Sequence, residues 1–90
     1  MLEVTDAALA HLAKVLEKQE IPAHSDVTLR LIFDDELKLW RDAPQVGDEE
    51  YRWEGKIVLR VDERLAEVLQ TNTLDVEEGA LALRTPTDTH

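Results

Sequence analysis

The chain has 90 residues, enough for one small domain and too few for two separate hydrophobic cores. Twenty acidic against ten basic side chains give a net charge of −10, a field that repels phosphate backbones and anionic membranes, so neither nucleic acid nor membrane is expected as a partner. The absence of cysteine excludes disulfides, thiolate zinc sites, cysteine-ligated iron–sulfur clusters and a cysteine nucleophile. The N-terminus has no basic region and the apolar runs are short, which predicts a cytoplasmic protein.

The first predicted element is an amphipathic helix over residues 6–20. Its leucines recur at helical spacing on one side, and lysines fall on the other. Thr5 is placed to cap the N-terminus, with Asp6 in the first turn, where a carboxylate favours the helix dipole. Pro22 biases the residue before it away from helical dihedrals, so the helix is expected to end there.

Alternating apolar and polar residues after this helix predict six strands, with a short second helix among them. Asp62 is suited to cap the second helix, which is expected to end near Thr71 and Asn72. Acidic or glycine-containing turns divide the strands into hairpins. The predicted strands cover residues 27–33, 37–41, 50–54, 56–61, 74–76 and 81–83.

The resulting order, α-β-β-β-β-α-β-β, groups strands between two helices without regular βαβ alternation. This grouping is typical of an α+β domain whose largely antiparallel or mixed sheet is covered by helices. No internal repeat, low-complexity tract or linker interrupts the pattern, so residues 1–90 are expected to form a single domain.

At this level of detail the chain resembles the HesB-like, A-type iron–sulfur carriers, also called the IscA family. Each shared motif is short, and the resemblance depends on their order and spacing along nearly the whole chain. It implies a HesB-like fold and a relation to iron–sulfur cluster biogenesis. In chain order the motifs are Val4-Thr5-Asp6-x-Ala8, Leu29-Arg30-Leu31, Asp42-Ala43-Pro44-x-x-Gly47-Asp48, Gly55 before an apolar strand, Val61-Asp62, Leu74-Asp75-Val76 and Thr85-Pro86.

The cluster ligands of that family are missing from this sequence. Members that carry clusters use three cysteines, one in a loop after the Leu-Arg-Leu strand and two in a Cys-Gly-Cys tail after the last strand. Here the acidic turn Asp34-Asp35-Glu36 stands in place of the loop, and Thr87 to His90 follow Pro86. Carboxylates are hard donors that do not replace several thiolates, so no cofactor is expected. The chain resembles short acidic branches without cysteines more than it resembles a carrier.

Other metal sites and catalytic groups find little support in the sequence. The histidines His11, His24 and His90 lack metal-ligand spacing, and the acidic runs 34–36 and 48–50 lack the pattern of a calcium loop. Ser25 is the only serine and belongs to no nucleophile motif. We therefore expect no metal site, no catalytic residue and no enzyme activity.

An aromatic cluster is the candidate interface in this sequence. Trp40, Tyr51 and Trp53 fall on strands predicted to be neighbours, with Arg41 and Arg52 beside them. Cross-strand aromatic pairs stabilise a sheet by about 0.2–1 kcal/mol each, and this structural role is the favoured interpretation. If the aromatic side chains instead project from an uncovered face, they form an amphipathic patch of the kind enriched at protein interfaces.

These observations lead to one main functional hypothesis and two alternatives. The main hypothesis is a non-catalytic HesB-like binding or adaptor module that docks to a protein partner, such as a component of cluster assembly, or to its own copies. The first alternative is iron or divalent-metal binding through Asp, Glu and His side chains. The second is an acidic mimic of nucleic acid, suggested by the net charge of −10.

Overall fold

The computed structural model describes residues 2–19, 21 and 25–85, and it confirms the α+β fold class. The predicted helices and strands occur in the expected order, and a two-residue strand precedes them. Pro22, His24 and residues 86–90 lie outside the described residues. The elements are β1 (Glu3–Val4), α1 (Asp6–Lys18), β2 (Thr28–Asp34), β3 (Glu36–Asp42), β4 (Glu49–Trp53), β5 (Lys56–Val61), α2 (Glu63–Val68), β6 (Thr73–Glu77) and β7 (Ala80–Arg84).

The strands form two mixed sheets. The larger sheet has the order β3-β2-β5-β4, in which the central strands β2 and β5 are parallel and both outer pairs are antiparallel. The smaller sheet has the order β1-β6-β7, with β1 parallel to β6. Strands β3 and β4 are consecutive in the chain, yet they lie at opposite edges of the larger sheet.

Three tight turns close the hairpins, as the sequence predicts. Glu54-Gly55 and Glu78-Gly79 each place two consecutive residues at positive φ, the conformation that matches the twist of antiparallel strands. The β2–β3 turn is tighter, because Asp34 pairs with Glu36 and Asp35 alone links them at a φ of 74°. A short Asp side chain tolerates this left-handed region.

Helix α1 begins as its sequence predicts and ends at Lys18, slightly before the expected boundary. The Thr5 hydroxyl oxygen accepts a hydrogen bond from the Ala8 N–H at 3.1 Å, which caps the helix. The helix packs on β4, β5 and β6. Its buried side chains join one hydrophobic core, composed of Leu2, Ala8, Leu12, Leu16, Leu29, Leu31, Val58, Leu59, Val61, Ala66, Leu69 and Leu74.

Helix α2 is shorter than predicted. Asp62 caps it by accepting a hydrogen bond from the Arg64 N–H at 2.9 Å, but the helix ends at Val68 rather than near Asn72. The next residue, Leu69, leaves helical geometry with a ψ of 12° and buries its side chain in the core. Val68 therefore remains on the surface at the end of a short helix.

Candidate functional site

Arg30 is the centre of a buried ion-pair network on the outer face of the larger sheet, the face that also carries Trp40 and Arg60. Its Nε donates to Asp42 at 2.9 Å, and Nη1 and Nη2 donate to the two carboxylate oxygens of Asp48 at 2.8 and 2.7 Å. Nη2 also donates to the Ala43 carbonyl at 3.1 Å. These partners allow Arg30 to be only 7% exposed, whereas strand alternation predicts a solvated side chain at this position.

The same contacts hold the loop between β3 and β4. The guanidinium of Arg30 lowers the pKa of Asp48 by hydrogen bonding, partial burial opposes this, and the Gln45 N–H, which donates to the carboxylate at 2.8 Å, lowers it further. Gly47 has a φ of 87°, and a Cβ at this position would lie 2.9 Å from the Glu63 carboxyl group. The loop is thus fixed to β2 by ion pairs and fitted closely against the start of α2.

A row of four side chains crosses the larger sheet. Trp40, Arg30, Arg60 and Glu50 lie on successive strands, because each is paired in register with the next. The Arg60 guanidinium donates to Glu50 at 3.1 Å and to the Asp26 carbonyl at 2.7 Å. Each buried arginine thus has its own acceptors, so two like charges coexist on adjacent strands.

An open groove lies between the C-terminal end of β2 and helix α2, and its volume is about 380 Å³. Ile32 and Phe33 line it from the strand, and Leu65 and Val68 line it from the helix. Its polar boundary is formed by Arg30, Gln45, Asp62 and Arg64. We call this feature the β2–α2 groove.

Two exposed large hydrophobic side chains line this groove, and two more are neighbours of its lining residues. Phe33 is 43% exposed and Val68 is 73% exposed, and both line it. Val46 follows the lining residue Gln45, and Trp40, 57% exposed, is directly opposite Arg30 on the neighbouring strand. Among the described residues these four are the exposed large hydrophobics, and two of them, Phe33 and Val68, line the groove.

The structure separates the residues of the sequence-predicted interface. The expectation that their strands are neighbours is wrong, because Trp40 and Arg41 lie on one edge strand of the larger sheet while Tyr51, Arg52 and Trp53 lie on the other. Two strands intervene, so the five side chains do not form one patch within a single molecule. Their role in protein binding remains a prediction.

Tyr51 and Trp53 pack against the hydrophobic core. The Tyr51 hydroxyl lies 2.9 Å from the Leu2 carbonyl oxygen and 3.0 Å from a carboxylate oxygen of Glu49, so it ties β4 to the start of the chain. Burial, reinforced by the Glu49 carboxylate, raises the pKa of the Tyr51 hydroxyl. These two aromatic side chains therefore have a structural role through their packing on the core, and not through the expected cross-strand aromatic pair with Trp40.

The candidate metal-binding groups have other surroundings. His11 lies half-buried on α1, and no three His, Asp or Glu side chains within residues 2–19, 21 and 25–85 are placed to hold a metal ion together. In the acidic run 48–50, Asp48 pairs with Arg30 and Glu50 pairs with Arg60. Neither helix in the described part of the chain has the length and apolar character needed to cross a membrane.

The β2–α2 groove is not predictable from local sequence patterns, because it depends on where α2 ends and which face of β2 the helix covers. One signal was present: Ile32 adds an apolar side chain to the otherwise polar face of β2. The groove thus offers apolar contact surface with a charged boundary, an arrangement suited to binding.

The fold is similar to that of a known protein. The crystal structure of Escherichia coli SufA, involved in the biosynthesis of iron–sulfur clusters, matches this chain with a TM-score of 0.69 and 22% sequence identity. The match covers 94% of this chain and 85% of the SufA chain. No protein-family model matches the sequence, and no curated protein matches it significantly. The likeness to SufA establishes the fold alone, and it confirms the HesB-like α+β architecture expected from the sequence motifs.

Proposed function

We propose that this protein is a non-catalytic protein-binding module, related to the A-type iron–sulfur carriers, that has their fold without their cluster ligands. The SufA-like fold extends over 94% of the chain, which supports the relation. The side chains present support the loss of the ligands, because the sequence contains no cysteine. A recognition role is compatible with both observations.

The residues of this chain do not fit an iron–sulfur cluster. Such clusters are held by soft thiolates, whereas the anionic donors that this chain offers are hard carboxylates. After the Leu29-Arg30-Leu31 strand, where the carriers have a cysteine-bearing loop, Asp35 alone joins β2 to β3. The turn therefore lacks both the sulfur donor and the length of that loop.

The observation that carries the binding proposal is that the exposed side chains of Phe33 and Val68 line the β2–α2 groove, while the exposed Trp40 and Val46 are neighbours of the lining residues Arg30 and Gln45. Exposed apolar side chains gathered around a groove and bordered by polar groups are typical of protein interaction sites. Trp40 provides a large aromatic side chain, a residue type enriched among those that contribute most to binding energy. Trp40 is also one of the five residues of the sequence-predicted interface.

Charge around the groove supports a basic partner. Asp62 lines it, Asp34 follows Phe33 directly, and Glu67 precedes Val68. Arg30 is already paired with two carboxylates, which leaves Arg64 as the cation at the boundary. With a net charge of −10 overall, the surface complements a protein segment that inserts an apolar side chain and carries lysine or arginine on either side.

Selection from a displayed library of random peptides tests this proposal and does not require the partner to be identified first. We expect the enriched peptides to combine apolar residues with flanking lysine or arginine. Val68→Lys, which places a cation in the groove, is expected to weaken their binding about tenfold or more, as loss of a central apolar contact does. Glu17→Gln on the exposed surface of α1 raises the net charge by the same amount and serves as the matched control.

The result separates this proposal from unspecific attraction between opposite charges. Peptides that bind wild type and the Glu17→Gln variant equally, but fail with Val68→Lys, support the groove. Enrichment of acidic peptides, lack of enrichment, or equal binding to the Val68→Lys variant would refute it. Circular dichroism of each variant verifies that the fold is retained.

A further inference from the structure

A second depression lies at the opposite end of the central strands, where β2 and β5 begin. It has a volume of about 320 Å³. The segment 25–28, the start of β5 and the turn before it form its walls. This position separates it from the β2–α2 groove, which lies beyond the C-terminal end of β2.

Cationic side chains are concentrated in this depression. Arg52, Lys56 and Arg60 all line it, although the whole chain has ten lysines and arginines and a net charge of −10. The opposing carboxylates are Asp26 in the lining and Glu50, which pairs with Arg60. The lining itself thus has three cations and one carboxylate. Two further carboxylates lie close by, because Glu54 precedes Gly55 in the turn and Glu17 lines the adjoining depression with Ser25 and Lys56.

Two of these cations retain hydrogen-bonding capacity. Arg60 donates from Nε to the Glu50 carboxylate and from Nη1 to the Asp26 backbone carbonyl oxygen. Its Nη2 has no hydrogen bond to any described residue. Arg52 is 4.0 Å from Glu50, beyond hydrogen-bond distance, and its side chain is mostly exposed. The buried Arg60 supplies a fixed donor, whereas Arg52 is free to move towards a ligand.

A hydroxyl group completes the set of donors. The Ser25 oxygen accepts a hydrogen bond from the Val27 N–H at 3.0 Å, and its own proton makes no hydrogen bond to the described residues. Guanidinium, ammonium and hydroxyl donors that line one small depression match the oxygen acceptors of a phosphate group. The negative charge elsewhere does not prevent this, since physiological salt screens exposed charges beyond about 8 Å.

We propose that this depression binds the phosphate group of a small molecule. Arg60 provides the fixed contact, and Arg52 and Lys56 close around the anion from the exposed side. The site is independent of the β2–α2 groove, so the two proposals can fail separately. Inorganic phosphate, glycerol phosphate and acetate are the probes, because they distinguish free phosphate, a phosphate ester and a simple carboxylate.

Titration followed by NMR tests the site. With either phosphate probe we expect saturable shifts of the backbone amides of Ser25, Gly55 and Lys56, and with acetate no saturable shifts. Lys56→Glu is expected to weaken phosphate binding about tenfold or more, the effect of losing one charge-assisted hydrogen bond. Lys38→Glu on β3 makes the same charge change outside the depression and should leave the affinity unchanged.

The outcomes distinguish the alternatives. Tighter binding of glycerol phosphate than of inorganic phosphate identifies a phosphate ester as the natural ligand. Tighter binding of inorganic phosphate identifies free phosphate. Equal binding of acetate, equal weakening by Lys38→Glu, or shifts that do not saturate would overturn the proposal. The melting temperature of Lys56→Glu, measured in the same buffer, verifies that the variant is folded.

Discussion

Arg30 and Asp48 face each other through two parallel hydrogen bonds of 2.8 and 2.7 Å, although 18 positions separate them in the chain. They belong to two of the motifs on which the family resemblance depends. A second contact between two motifs joins Thr5 to Asp75, because the Thr5 hydroxyl donates a hydrogen bond to the Asp75 carboxylate at 2.8 Å. Four of the motifs therefore contact each other in two pairs, and their polar residues connect distant parts of the chain.

Removing Asp48 tests this structural role. Asp48→Ala leaves the buried guanidinium of Arg30 without its main partner, and breaking a buried ion pair in this way costs about 3–5 kcal/mol. Glu77→Ala is the control, because its ion pair with Arg84 is exposed and is expected to contribute about 0–1 kcal/mol. Urea denaturation measures both changes in the free energy of unfolding. Equal losses for the two variants would contradict the structural role of Asp48.

The dependence of stability on pH follows from the same pair. Hydrogen bonding from Arg30 holds the pKa of Asp48 in the folded protein below its unfolded value of about 3.9. The stabilisation is therefore complete above the unfolded pKa, and it is lost as the pH falls through the folded pKa. Asp75, whose pKa is lowered by the Thr5 hydroxyl, contributes with the same sign.

We expect the free energy of unfolding to fall as the pH is lowered from about 5, and to fall less in Asp48→Asn. Asp34→Asn, in the exposed β2–β3 turn, is the control for removing one carboxylate. Urea denaturation at successive pH values measures the slopes. An Asp48→Asn slope as steep as that of wild type would show that Asp48 does not provide this stabilisation.

Gly47 fits a position that alanine does not. Its φ of 87° lies in the left-handed region, where a Cβ costs about 1–2 kcal/mol. That Cβ would also approach Glu63 to 2.9 Å, whereas at Gly79, with a φ of 80°, nothing lies within 4 Å. We expect Gly47→Ala to lower thermal stability more than Gly79→Ala, and calorimetry compares them. Equal losses would indicate that Glu63 moves aside without cost.

The two tryptophans are expected to respond differently to truncation. Trp40→Ala removes an exposed side chain and should leave the melting temperature nearly unchanged while weakening capture of groove-binding peptides. Trp53 packs against the core, so Trp53→Ala should destabilise the protein, towards the range of about 3–5 kcal/mol for buried aromatic side chains. Thermal unfolding and peptide binding measure both effects. A large loss of stability in Trp40→Ala would show that Trp40 contributes to folding rather than to peptide binding.

Local signals explain how much of this fold the sequence predicts. The caps at Thr5 and Asp62 and the turns at Gly55 and Gly79 depend on a few adjacent residues, so they are visible without a structure. Sheet order is different, because β5 inserts beside β2 through parallel pairing between distant segments. Local alternation does not encode that pairing, and this is why it does not separate Trp40 from Tyr51 and Trp53.

The candidate site was harder to predict for a related reason. Arg30 has the place of a solvent-facing residue in an alternating strand, and its burial depends on the loop from Asp42 to Asp48 folding over it. Exposure of Val68 depends on α2 ending one residue before Leu69 turns into the core. Both features result from tertiary packing, which the pattern of one strand or helix does not contain.

Anaerobic incubation of the purified chain with ferrous iron, sulfide and a thiol reductant, followed by gel filtration, tests the central claim most directly. A carrier-like scaffold without soft ligands should elute colourless, with no stoichiometric iron or acid-labile sulfide, because carboxylates do not replace thiolates in holding a cluster. A brown protein fraction with stoichiometric iron and sulfide would contradict the account.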